Sequence, residues 1–405
     1  MTKPHAKPLA GLKVLELARI LAGPWCGQLL ADVGAEVIKI ERPEVGDDTR
    51  TWGPPFVTDA AGNSWGAAYF HATNRGKSSV AIAFETPEGQ AAIRALAAEA
   101  DILIENFKVG GLKKYGLDYD SLKAVNPRLI YASITGFGQT GPYAARAGYD
   151  YIIQGMSGLM DITGEPEREP QKVGVAVVDI FTGVYTATAI LAAVHGRETR
   201  GEGCHIDMSL FDTATSILAN QASNYLVSGK SPSRLGNAHP NIAPYQVFQV
   251  SDGHIIVAVG NDGQFQKFCA ALRANDIAAH PDYATNALRV ARRTDLQSAV
   301  QPYLMQKTRA EWLAVFEAAG VPAGPINRIE DVFSDPQIIH RGMRLELTAA
   351  DGSKISGVAS PIVINGERMV ADGPSPMLGN GKAVWSAPST PSGSPSPAKA
   401  GEEKI

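Results

Sequence analysis

Cysteine is scarce in this 405-residue chain: Cys26, Cys204 and Cys269 stand far apart, with no C-x-x-C pair. An odd, scattered set excludes a disulfide scaffold and a cysteine zinc cluster, and it fits a reducing cytosol. An excess of charge is also lacking. Lys+Arg 37 against Asp+Glu 41 leaves a formal net charge of -4, so general nucleic-acid binding is not expected. No stretch of about 18 apolar residues runs free of charge, Gly or Pro, so no membrane span is expected. The start, Met1 to Pro8, carries basic residues but is followed by no apolar core of signal-peptide type. Together these absences make the expected location cytoplasmic. No clustered metal ligands are evident, so no metal is expected. No G-x-S-x-G elbow frames a serine, and no solenoid period recurs. What remains is ordinary globular material, 44% hydrophobic and 19% charged. That is enough to bury a large core, and the length suggests two or three domains' worth of chain.

The first clear unit spans residues 11–41. Residues 13–17 read as a short buried strand. Gly23-Pro24 opens a helix, with Pro24 in the first turn where its missing N–H costs nothing, and Gly34 is placed to end it. Residues 36–40 form the next strand. Strand, helix and strand within ~30 residues make a right-handed crossover of a parallel sheet. The pattern recurs in strands at 78–84, 101–105 and 129–134, and in helices at 86–98, 181–195 and 210–226. The fold class is therefore α/β, an open, mostly parallel, Rossmann-like sheet in a large domain. Near Gly229 the texture changes to a polar, turn-rich connector. A hairpin (245–250 and 254–259) and helices at 264–272, 293–305 and 309–319 follow, which read as a smaller α+β domain. The expected division is 1–228 for the large domain, 229–328 for the small one, and 329–385 for a return to the first. The Ser/Pro/Gly/Ala-rich stretch 386–405 is expected to be a disordered tail.

The loop Ala18-Arg-Ile-Leu-Ala-Gly-Pro24 lies at the carboxyl end of the first strand, where open α/β sheets bind ligands. A dinucleotide fingerprint would place G-x-G-x-x-G there, and only Gly23 is present; a dinucleotide-dependent oxidoreductase is a competing class that this absence opposes. Basic residues gather near strand ends: Arg42, Arg75, Lys77, Lys113 and Lys114. Such a set suits a polyphosphate ligand, and equally a solvated face. Phe107 is either a stacking platform for a purine or a core residue. Asp179 is the most unusual feature, a lone carboxylate in Val173-Gly-Val-Ala-Val-Val-Asp-Ile-Phe where a helix should begin. A helix N-cap, worth ~1 kcal/mol, accounts for it. So does a carboxylate nucleophile, kept ionised and oriented by a helix N-terminus. Asp150 reads as a cap. His239 reads either as an exposed loop histidine or as part of a site mouth. Gly260-Asn-Asp-Gly reads either as an anion-cradling turn or as a helix cap.

Taken in order, several segments form a familiar set. They are Pro8-Leu-Ala-Gly-Leu-Lys-Val-Leu-Glu-Leu17, Ala22-Gly-Pro24, Leu30-Ala-Asp-Val-Gly-Ala-Glu-Val-Ile-Lys-Ile-Glu-Arg-Pro43, Gly46-Asp47, Asn74-Arg-Gly-Lys-Ser78, Glu105-Asn-Phe107, Ser133-Ile-Thr-Gly-Phe-Gly138, Asp179 and Gly260-Asn261. Over residues 8–380 the chain resembles the class III (formyl-CoA transferase-like) CoA-transferase family, which also contains 2-methylacyl-CoA racemases. The resemblance implies two ring-like chains interlocked as a homodimer. It implies that Asp179 attacks an acyl-CoA thioester, with coenzyme A as substrate and product and no prosthetic group. It implies CoA contacts from Arg42, Arg75, Lys77 and Lys114 to phosphates or adenine, from Asn106 and Phe107 along the pantetheine and adenine groove, and from Asn74 as a further CoA-binding residue. Leu21 and Ala22, with Gly136, Phe137 and Gly138, would frame the thioester. Lys114 stands where some members have Arg. Tyr149 replaces the histidine base of the racemases, which opposes the alternative of an isomerase. His239-Pro-Asn-Ile-Ala-Pro244 replaces the glycine run of the oxalate enzymes. The pattern is closer to the succinate–hydroxymethylglutarate CoA-transferase branch, which uses succinyl-CoA and small (di)carboxylic acids. After Gly379 the family usually continues into a polar helix, and this chain does not.

Overall fold

The computed structural model describes residues 7–386. The expected tail, beyond its first residue, lies outside the described residues. Two compact units form. Among the described residues, the first takes those up to Gly148, then Val178–Thr213, then those from Met343; the second takes Tyr149–Val177 and Ala214–Gly342. The division thus falls at different places from those read in the sequence. Residues 149–177 leave the large domain, and the return to it begins at 343 rather than 329. The composition shift near Gly229 marks a connector and not the boundary itself.

The first unit is built on six parallel strands: β1 (Lys13–Glu16), β2 (Glu36–Glu41), β3 (Lys77–Ala81), β4 (Ile102–Glu105), β5 (Ile130–Thr135) and β6 (Cys204–Ser209). Their order is β3-β2-β1-β4-β5-β6, with Leu15 opposite Ile38 on one side and Leu103 on the other. Chain order reverses between β1 and β4, the switch point at which doubly wound sheets bind ligands. The central strands are buried on both faces and read as near-continuous apolar runs. The outer strand β6 alternates half-buried and exposed positions and carries His205 and Asp207. That polar alternation is why it was not recognised in the sequence.

Helix α1 (Ala22–Asp32) follows β1, α2 (Pro87–Glu99) precedes β4, and α3 (Val177–Arg200) precedes β6. Thr86 caps α2 by accepting the Gly89 N–H at 3.1 Å, with Pro87 in the first turn. Helix α3 begins four residues earlier than expected and runs for 24 residues. By length and composition alone it is apolar enough to cross a bilayer, a length the sequence reading did not assign. One side of it is packed in the first unit, where Val178, Thr182, Ile190 and Arg197 are buried and Arg197 pairs with Asp101 at 2.7 Å. The helix expected at 210–226 is two, Leu210–Ser216 and Ala219–Ser228, with a left-handed Ala219 (φ 45) at the break.

From Met343 the chain makes a hairpin (Arg344–Thr348 with Lys354–Val358) and then runs along α1 and β3. Its backbone donates from Ala371 to Asp32 (2.9 Å) and from Gly381 to the Ser79 carbonyl (2.7 Å). Trp385 anchors the end, donating to the Leu96 carbonyl at 3.1 Å. In the second unit, β7 (Tyr245–Val250) and β8 (Gly253–Ala258) form the expected hairpin, and β9 (Ala323–Pro325) pairs with β8. Phe248, Val257, Phe265, Phe316 and Trp312 fill its core, and the Trp312 indole donates to the Leu304 carbonyl at 2.7 Å.

Helix α1 lies flat on β1 because residue 27 is glycine. A Cβ there would collide with the Glu16 carboxylate and press on the Lys77 side chain. Gly27→Ala is therefore expected to lower stability by about 2 kcal/mol or more, since it overpacks a buried ion pair. Denaturant unfolding checks this, and an unchanged midpoint would contradict the packing described.

Candidate active site

In a parallel sheet every strand ends at the same edge. The loop after β1, Arg42 after β2, Asn106-Phe107 after β4 and Gly136-Phe137-Gly138 after β5 are therefore brought together there. The β1–α1 loop is held group by group. The Ala18 carbonyl accepts from Lys39 Nζ at 2.7 Å. Arg19 donates its N–H to Asn106 Oδ1 (2.9 Å), and Asn106 Nδ2 donates back to the Arg19 carbonyl (2.7 Å). Ile20 donates to both oxygens of Asp47, at 3.3 and 3.2 Å. Leu21 and Ala22 then open α1, buried, with no side chain capping the helix. The first-turn N–H groups of such a helix carry its partial positive charge.

Asp179 is the third residue of α3, half-buried within its first turn rather than at the N-cap position. The helix still favours a carboxylate at that depth. One turn on, Gly183 packs against the start of α1. A Cβ at 183 would lie 2.7 Å from the Ala22 carbonyl oxygen and 3.0 Å from the Trp25 ring. The first turn of α3 is thus seated on the loop that carries Leu21 and Ala22.

Positive charge gathers at this edge, though not from the expected set alone. Arg42 and Arg19 share the Asp48 carboxylate, at 2.6 and 2.9 Å, and both remain more than a third exposed. The Arg19 guanidinium stands 5.5 Å from the centre of the half-buried Phe107 ring. Phe107 meets Phe84, which meets Tyr115, and the Lys114 ammonium lies 4.6 Å over Tyr115. Arg19 was missed in the sequence. The available signal was its place in the loop after the first strand.

Asn74, Arg75 and Lys77 are buried inside the first unit. They precede β3 and are spent on internal partners. Arg75 is buried, donating to Asp32 at 3.0 and 2.6 Å and to the Val358 carbonyl at 2.9 Å. Lys77 is buried and donates to Glu16 (2.9 Å), the Pro24 carbonyl (2.8 Å) and Asn74 (2.9 Å), so all three ammonium donors are used. Burial pulls its pKa down to about 8, against the nearby Glu16 carboxylate. Asn74 is buried and donates to the Phe70 carbonyl at 2.9 Å. Lys77 and Asn74 thus brace the start of α1 from beneath, and Arg75 ties the end of α1 to the Val358 carbonyl.

The Gly136–Gly138 turn is tightly packed. A Cβ at 136 would lie 2.6 Å from Gly148 Cα, and Gly138 (φ 85) donates to Thr135 Oγ1 at 3.0 Å. Phe137 sits between the Tyr143 and Phe211 rings. Beneath Asn106, the buried Glu105 accepts the Phe107 N–H at 2.7 Å, and burial pushes its pKa up to about 7. In the second unit, Asp150 is the first residue of a short helix and accepts from Gln154 at 2.6 Å rather than capping. Tyr149 is exposed. His239 accepts the Asn241 N–H at 3.1 Å. Asn261 caps the helix Asp262–Leu272 by accepting the Gln264 N–H at 2.9 Å, so that turn is a helix cap.

A family model described as CoA-transferase family III matches residues 9–382. The chain belongs to CoA-transferase family III. It is 56% identical over 381 residues to the succinate–glutarate CoA-transferase of Agrobacterium fabrum, covering 94% of this chain and 95% of the relative. It is 41% identical over 375 residues to the succinyl-CoA:glutarate CoA-transferase of Homo sapiens, covering 93% and 84% respectively. A crystal structure of a CAIB/BAIF family protein from Brucella suis superposes with a TM-score of 0.82 at 58% identity, covering 93% of this chain and 97% of that one. Membership of CoA-transferase family III makes the protein a CoA-transferase, and it agrees with the resemblance carried by the ordered motifs.

Glu105 gives the edge a pH signature. Its folded pKa lies above that of an unfolded carboxyl, so its contribution to stability is complete in acid and is lost as pH rises through about 7. Glu105→Gln removes that slope. The melting temperature of the variant relative to wild type is expected to rise by a few degrees between about pH 5 and about pH 8. A difference that is the same at both pH values would contradict the assignment.

Proposed function

We propose that the protein moves CoA from succinyl-CoA to a dicarboxylate, glutarate first among them, through Asp179. The observation that carries this is the seat of Asp179. It lies in the first turn of α3, which packs through Gly183 onto the Ala22 carbonyl at the ligand-binding edge of the sheet. The two glutarate enzymes named above support the choice of donor and acceptor.

An aspartate of pKa ~3.9 is ionised at neutral pH and needs no separate base. Its carboxylate attacks the succinyl thioester carbonyl. The C–S bond breaks, and CoA thiolate leaves a succinyl–aspartyl mixed anhydride. The thiolate attacks the aspartyl carbonyl, giving an aspartyl-CoA thioester and free succinate. A glutarate carboxylate attacks that thioester and releases thiolate again. Attack of the thiolate on the glutaryl carbonyl gives glutaryl-CoA and restores the Asp179 carboxylate. Every step passes an acyl group between carboxylate and thiolate, so the cycle asks for no prosthetic group. The N–H groups at the uncapped start of α1 suit the oxyanion that forms at each attack. Arg19 and Arg42 suit the CoA phosphates, with Phe107 and Lys114 alongside for the adenine end. Tyr149 stands where the racemases carry a histidine base, which opposes the isomerase reading.

The working form proposed is a homodimer. Phe181, Val184, Tyr185 and Leu191 expose apolar area along one side of α3, a surface that a second copy would cover. Sedimentation at micromolar concentration is expected to give twice the chain mass, and a monomer would contradict this.

The chemistry is tested with succinyl-CoA and a panel of dicarboxylates, following acyl-CoA products by mass spectrometry. Asp179→Asn is expected to lower glutaryl-CoA formation by about a thousandfold or more. Near-wild-type turnover in that variant would contradict the nucleophile. Solvent deuterium entering the α-carbon of an acyl-CoA without transfer would favour the isomerase.

A further inference from the structure

We propose that Asp47 is a positioning residue for the transfer: with Lys39 it locks Ile20 in a left-handed turn and so fixes the Leu21–Ala22 backbone on which the helix of Asp179 is seated. The inference rests on the reading of Asp179 given above.

Ile20 has φ 73. For a β-branched residue this is a true backbone outlier, and such strain persists only where the surroundings over-determine it. Here they do. Asp47 is 1% exposed and spends both oxygens on the task. It accepts the Ile20 N–H, the Thr49 N–H (3.0 Å) and the Thr49 hydroxyl (2.8 Å), and pairs with Lys39 Nζ at 2.9 Å. Lys39, fully buried, turns its remaining donors to the Ala18 carbonyl (2.7 Å) and to Glu16 (3.1 Å). Asn106 clasps Arg19 from the other side through both its backbone groups. Three consecutive residues are thus held by side chains from β2, from the segment after it, and from the end of β4.

The charges that do this hold through the working pH range. Burial raises the Asp47 pKa, but the Lys39 ammonium and the Thr49 hydrogen bonds outweigh it and bring the carboxyl down to about 2. Burial likewise lowers the Lys39 pKa, and the Asp47 and Glu16 carboxylates outweigh it and raise it. A turn needed for folding alone would be met better by glycine, which adopts φ > 0 freely and keeps the same N–H. The chain instead holds an isoleucine there, and the next two residues open the helix whose first N–H groups are proposed above for the oxyanion. Strain held in place by a buried ion pair beside a reacting group is a mark of preorganisation.

The test uses full-length Ile20→Gly and Asp47→Asn. Four quantities are measured: kcat and KM for succinyl-CoA with glutarate, the melting temperature, and the rate at which CoA attaches covalently to the protein from succinyl-CoA alone, by intact mass. Ile20→Gly relieves the strain, so its melting temperature is expected to stay within a few degrees of wild type. Its kcat is expected to fall about tenfold or more, with KM within about twofold of wild type. Asp47→Asn is expected to show the same split between kcat and KM with a lower melting temperature. A wild-type kcat in Ile20→Gly would overturn the proposal. So would a rise in KM at unchanged kcat, which would make the loop a CoA-binding element. No adduct in wild type would remove the Asp179 chemistry itself. An adduct that forms as fast in Ile20→Gly as in wild type would remove the clamp alone.

Discussion

Glu16 is fully buried between two lysines, with Lys39 Nζ at 3.1 Å and Lys77 Nζ at 2.8 Å, and Lys39 in turn pairs with the buried Asp47. The four formal charges cancel within one connected group under the β1–α1 loop. The pairing with Lys77 is an ion pair at Glu16 Oε2 and an aligned hydrogen bond at Oε1, 2.9 Å. Desolvating such a set costs several kcal/mol per ion, and well-packed apolar residues of similar volume are often no less stable. What the network supplies is placement. Its spare donors reach the Ala18 and Pro24 carbonyls, the two ends of the loop that opens α1.

The rest of the edge follows from that placement. With Glu16 drawn up to the lysines, only glycine fits at residue 27 of α1, and the helix lies flush on β1. With α1 fixed, the Ala22 carbonyl and Trp25 become the floor for Gly183, and the first turn of α3 brings Asp179 to the same place. The second ion group, Glu41 with Arg50 at 2.8 Å, extends the bracing outward, and Arg50 also donates to the Pro376 carbonyl. The C-terminal return is thereby tied to the same sheet edge that carries the site.

Much of this was legible in the sequence, for physical reasons that can be named. The central strands are continuous apolar runs, and α1 carries its Gly-Pro start, so the crossover could be read directly. Asp179 stood out as one carboxylate in an apolar stretch. The edge strand β6 was missed because its polar alternation looks like a loop when no neighbour is known. The buried pairings of Arg75 and Lys77 were not legible, because a basic residue near a strand end looks the same whether it faces a phosphate or a buried carboxylate. The distinguishing signal was present: a lone Glu in Lys-Val-Leu-Glu-Leu and a lone Lys in Glu-Val-Ile-Lys-Ile, each amid apolar neighbours in adjacent strands. Unpaired charges in such runs call for a buried partner. Ile20 gave no signal at all, since nothing in its identity announces a left-handed turn.

The central claim is that the acyl group passes through the Asp179 carboxylate, and oxygen exchange tests it most directly. During turnover with succinyl-CoA and glutarate labelled with heavy oxygen in its carboxylates, restoration of Asp179 leaves one glutarate oxygen on the enzyme. After proteolysis, the peptide holding Asp179 is expected to carry at least one heavy oxygen, located by fragmentation at that residue. Succinate that gains label while this peptide stays light would mean that the acyl group passes directly between the two acids, and would contradict the account.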